Sequence, residues 1–240
     1  MTIWQALRAT YKEAGLFLFA CPLLALVPVV VEMIQHIVEM RIGMYDSIAM
    51  AKQAEHDPWR MGFGMLKIIA LLLPIYWVTR FIHFDRDAKR AAAWDATAVR
   101  LFAVYMLLQI AIAAIQLFAL PATASWLLGT FVFTEIFAAL TAAWCVAAPL
   151  GNPIIGLSAS ARMMTRFLPA TILIFLAAML PLMVPHYILG AAAIFGPAWS
   201  KWPILIVDSL LVGWLCAVLV ASGYFAAKRA ADTSGIKLAG

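Results

Sequence analysis

The chain has 240 residues, 65% of them hydrophobic and 12% charged, with a formal net charge of +5. Together with a mean hydropathy of +0.96, that composition excludes an ordinary water-soluble globular fold. The 17 Lys and Arg residues lie in the gaps between apolar runs, which reads as orientation in a membrane and excludes a nucleic-acid footprint.

A transmembrane helix needs about 20 apolar residues, and the first run that approaches this covers 14–31, with Pro22 and Pro28 inside it. The basic flank ahead of it resembles a signal sequence, but no small-x-small cleavage site follows Val31, so the run reads as a retained span. It grades into a more polar stretch in which Glu32, His36 and Glu39 stand at i, i+4 and i+7 on one helix face. A mixed-charge loop over 41–60 has room for a surface helix at 47–55, ended before Pro58. The second span, 61–78, carries Lys67 near its start and Pro74 inside.

Residues 80–95 form the most charged stretch, a solvated elbow with Asp85 and Lys89 spaced for an i, i+4 pair. A third span, 99–120, contains Gln109 and Gln116, and the PATAS segment at 121–125 predicts a tight turn into the fourth, 125–150, with Glu135 near its middle. Next come a turn after Pro149 and an interfacial helix with Arg162 and Arg166 on one face. The fifth span, 167–189, holds Pro169, Pro181, Pro185 and His186; the sixth, 204–227, has Asp208 near its start and closes with Lys228 and Arg229. Small-residue stripes, Ala139/Ala143/Ala147 and Gly213/Ala217/Ala221, suit close helix packing within the bundle.

The expected fold is therefore all-α: a polytopic integral membrane protein of about six transmembrane helices. It comprises a single helical domain over 1–229 and a short cytoplasmic tail over 230–240, polar enough to be disordered. Twelve basic residues flank the ends formed by the N-terminus, the elbow, the Arg162 segment and the tail, against four in the opposite loops. That imbalance places both termini in the cytoplasm. Arg86, Lys89, Arg90, Arg162 and Arg166 would then face lipid headgroups.

In that topology Glu32, His36, Lys67, Glu135, His186 and Asp208 all fall in the outer half of the membrane, Glu135 deepest at about 14 Å from the start of its span. A charged group at the centre of a span costs roughly 2.5–3.5 kcal/mol on insertion scales, so such residues face the bundle interior and pair with each other. We expect one extracytoplasmic polar cluster of these six residues. Three readings stay open: Lys67 and nearby hydroxyls and amides neutralise the acids, the group relays protons, or carboxylates beside imidazoles bind a divalent metal. No resident metal or other cofactor is expected: Cys21, Cys145 and Cys216 have no metal-ligand spacing, and a haem between His36 and His186 has no supporting motif.

Phosphate-binding, zinc-protease and dinucleotide motifs are absent, and GLSAS at 156–160 imitates a nucleophile elbow without its final Gly or a preceding strand. The six-span layout, with the segment SASARMMTRF leading into span five and a basic pair closing span six, resembles the YciC-type bacterial inner-membrane proteins. That resemblance implies location and fold rather than activity. The expected function is non-catalytic: a structural or assembly subunit of a larger membrane complex, in contact with lipids and other membrane subunits. The alternative is a small-solute, lipid or ion transporter using the intramembrane acids.

Overall fold

The structure, a computed structural model, describes residues 1–121 and 123–240. Among them there is no strand, and the helices in chain order are α1 (Ile3–Ala20), α2 (Pro22–Arg41), α3 (Ile48–Ala54), α4 (Pro58–Leu72), α5 (Pro74–His83), α6 (Ala88–Ala92), α7 (Ala96–Phe118), α8 (Ala124–Ala147), α9 (Leu157–Thr165), α10 (Leu168–Phe195) and α11 (Ala198–Ser234). Six helical segments are long and apolar enough to cross a membrane: α2, the α4–α5 pair taken as Pro58–His83, α7, α8, α10 and α11.

The first span is displaced from its expected position. Residue 21 precedes a proline, whose ring disfavours helical backbone just before it; Cys21 accordingly leaves the helical region at φ −128°, ψ 53°, and a new helix starts with Pro22 at its first turn. The apolar run 14–31 is thus divided between two helices, and the span is Pro22–Arg41. Pro28, one helical register further on, stays inside α2. Pro74 likewise opens α5 after α4 ends, whereas Pro181 and Pro185 are absorbed within α10.

Local signals fix several boundaries as the residues suggest. Ser47 caps α3, with its side chain accepting from the Met50 amide, and Asp57, Asp87 and Asp95 each accept amide hydrogens at the starts of α4, α6 and α7. The segment 121–125, expected as a tight turn, includes Ala122, which lies outside the described residues.

At one end of the bundle α1 returns to the elbow, where Arg86 grips Glu13 through two hydrogen bonds of 2.9 and 2.7 Å. The elbow is less solvated than its charge suggests. Arg80 is only 5% exposed: it donates to the carbonyls of Arg90 and Pro149 at 3.2 and 3.1 Å and stacks between the rings of Tyr76 and Phe84. The expected disordered tail is also ordered. α11 continues to Ser234, Gly235 ends it in the left-handed region at φ 67°, and the Asn152 side chain donates to the carbonyls of Lys237 and Leu238. Arg229 reaches the Met1 carbonyl, so both ends of the chain lie at this elbow end.

Exposed tryptophans sit toward both ends, Trp4 and Trp94 by the elbow and Trp59, Trp126 and Trp199 opposite, in keeping with two interfacial aromatic belts. The small-residue stripes are interior: Ala139, Ala143, Ala147, Ala217 and Ala221 are all buried. Gly213 lets α2 come so close that an added Cβ would fall 2.4 Å from Val29 Cγ2. Without a hydrophobic drive between helices in lipid, such close backbone approach supplies the packing attraction.

Candidate functional site

The close α2–α11 contact sets the register of the polar residues beyond it. His36 lies about 10 Å further along α2 from Val29, and Asp208 about 7.5 Å from Gly213 in the opposite direction along α11, so the two meet across the interface. His36 Nε2 is 3.1 Å from Asp208 Oδ2 and 3.6 Å from Glu32 Oε1. His186, from α10, places Nδ1 2.7 Å from the other Asp208 oxygen. Lys67, from α4, hydrogen bonds to Glu32 Oε1 at 2.8 Å and pairs with Oε2 at 2.7 Å. Five of the six residues expected to cluster therefore do so, on four different helices.

Four further residues, Glu39, Tyr45, Gln35 and Arg60, complete the group. Glu39 accepts from Tyr45 at 2.6 Å, from Gln35 at 3.0 Å and from Arg60 at 3.2 Å, and lies 3.2 Å from His36 Nδ1. The sequence places Glu39 on the same face as His36, in the more polar stretch that follows the apolar run. Tyr45 follows α2 in a turn, and no periodicity links it to His36; Lys201 fixes that turn by donating to the Tyr45 carbonyl at 2.6 Å. Burial, reinforced by the Glu39 carboxylate, pushes the Tyr45 hydroxyl well above its ordinary range, so it remains a donor.

Glu135 makes no hydrogen bond or ion pair among the described residues, with the cluster or elsewhere. It is half-buried on α8, its Oε2 is enclosed without a partner, and the adjacent Thr134 is engaged by Gln116 of α7 at 3.0 Å. The reason is the geometry of the α7–α8 pair. The buried residues of α7 are Ala98, Phe102 and Tyr105, all toward the elbow end, and those of α8 run from Ala139 to Ala147, again toward that end. Tyr105 and Trp144 meet edge to face there, centroids 5.2 Å apart. Away from this anchorage the two helices expose Leu107, Ile115, Leu128 and Val132, and a groove of about 860 Å³ between Arg60, Gln116 and Trp126 sets their tips off from α4. Shared depth alone could not reveal this separation from the cluster.

The basic set lies at the elbow end. Arg86 is engaged by Glu13, and Arg90 stands 3.8 Å over the Phe84 ring, whereas Lys89, Arg162 and Arg166 are exposed. No family model, curated protein or solved structure matches the chain.

Proposed function

We propose that this protein is a non-catalytic subunit of a larger membrane assembly and docks through the outer half of the α7–α8 hairpin. The observation that carries the reading is Glu135: a half-buried carboxyl with no hydrogen bond or ion pair among the described residues, on a hairpin whose surrounding surface is apolar and uncovered. Leaving a polar group unsatisfied in hydrocarbon is costly. A transmembrane helix of a second subunit that offers a hydrogen-bond donor or a basic side chain beside Glu135 would satisfy it while covering Leu128 and Val132. The basic bias at the elbow end supports a cytoplasmic location for that end in a bacterial inner membrane, with Arg162 and Arg166 at the lipid headgroups, and the YciC-type resemblance rests on the same layout.

Photo-crosslinkers at Leu128 and Val132, compared with one at Leu173 on α10, test the docking face. A discrete adduct with one membrane protein from the hairpin sites, lost in Glu135→Gln, is expected. Lipid adducts alone from all three sites would overturn the reading. The transport alternative is favoured by a different observation, the continuous line of titratable groups His186–Asp208–His36–Glu39. It requires proton or solute flux in proteoliposomes that Asp208→Asn abolishes.

A further inference from the structure

The cluster between α2 and α11 has an internal imbalance. Glu39 is matched by Arg60 and Glu32 by Lys67, but Asp208, 0% exposed, meets no Lys or Arg among the described residues; its ionisable partners are His36 and His186. A buried carboxylate without a fixed counter-charge costs several kcal/mol, so Asp208 calls for either an imidazolium or a bound cation beside it.

We propose that Glu32, His36 and Asp208 form a binding site for one first-row divalent metal ion, of the zinc, manganese or iron(II) class. The three ligand atoms lie within 4.8 Å of one another, and all three residues are buried. Metal–ligand bonds of about 2.0–2.2 Å in tetrahedral geometry put ligand atoms about 3.4 Å apart. The His36–Asp208 and His36–Glu32 separations, 3.1 and 3.6 Å, fall on either side of that value. One imidazole with two carboxylates suits these ions and leaves room for a water ligand.

A second observation is independent of the ligand distances: two of the three ligands, His36 and Asp208, are held from behind in the manner of a metal site. His36 Nδ1 faces Glu39 and Tyr45, which turns Nε2 toward the centre. Asp208 Oδ1 is held by His186, leaving Oδ2 inward. Glu32 is held by Lys67, which lies 2.8 Å from Oε1 and 2.7 Å from Oε2, and Oε1 is the oxygen that faces His36 Nε2. Carboxylate–histidine–metal triads use this outer arrangement to fix the tautomer and raise ligand basicity.

Full-length protein in detergent, stripped with a chelator and equilibrated with Zn²⁺ or Co²⁺, is expected to retain one equivalent after dialysis. Co²⁺ should give a low-coordinate oxygen–nitrogen spectrum with no intense sulfur-to-cobalt band, and Mn²⁺ should show magnetic coupling to a single imidazole nitrogen. His36→Gln and Asp208→Asn should lose the ion, while His186→Gln should weaken binding roughly 10- to 100-fold. Absence of stoichiometric binding in the wild-type protein, a sulfur band, or full binding in folded His36→Gln would overturn the site. The wild-type spectra decide the matter even if a ligand variant fails to fold, and none of them depends on the α7–α8 docking face.

Discussion

Replacing Gly213 by Ala tests how tight the α2–α11 contact is. The new Cβ would stand 2.4 Å from Val29 Cγ2, against a carbon–carbon optimum of about 3.5–4.0 Å, so the helices must part or Val29 must move. Val29 is β-branched on a helix and has essentially one χ1 rotamer available, so rotation offers little relief. Overpacking of this kind costs about 1–3 kcal/mol, and exchanging Gly for Ala within a helix returns about 1 kcal/mol. Gly213→Ala alone should therefore cost between nothing and about 2 kcal/mol. In a Val29→Ala background the obstacle is gone, and the same change should stabilise by up to about 1 kcal/mol. Equilibrium unfolding in mixed detergent micelles of the two single variants and the double variant measures the difference, a coupling of about 1–3 kcal/mol. Additivity within about 0.5 kcal/mol would refute the contact, and with it the register that sets His36 against Asp208.

Arg80→Lys cannot serve two carbonyls and two rings with one ammonium, and should lower stability by about 1.5–3 kcal/mol in the same unfolding assay; an unchanged midpoint would contradict the clamp. Asn152→Ala removes both side-chain donors to the tail, and hydrogen exchange should accelerate at Ile236 and its neighbours while the rest of α11 keeps its protection. Asp85 has φ 52°, so Asp85→Val should cost about 1–2 kcal/mol, whereas Asp85→Gly should leave the unfolding transition close to that of the wild type.

Span number, the surface helix after Ser47 and the bundle's all-helical class were legible because each rests on a local property. Apolar length, a side-chain cap and a proline act within a few residues of where they stand. The same locality explains the displaced first span: Pro22 and Pro28 look alike in composition, and only the backbone shows that one restarts the helix while the other is accommodated. The tail was misjudged because its order depends on Asn152, some 85 residues away in the chain.

Depth within the membrane was likewise available from the chain alone, since it follows from residue count and helical rise. It put Glu32, His36, Lys67, His186, Asp208 and Glu135 in one layer. Azimuth, the direction each residue faces around the bundle, was not, because it is set by which helices touch. Close approach at Gly213 turns α2 toward α11 and joins His36 to Asp208, whereas α7 and α8 bury residues fully only toward the elbow and carry Glu135 away from the group. The sequence by itself determined that these charges share a layer; tertiary packing decided which of them meet.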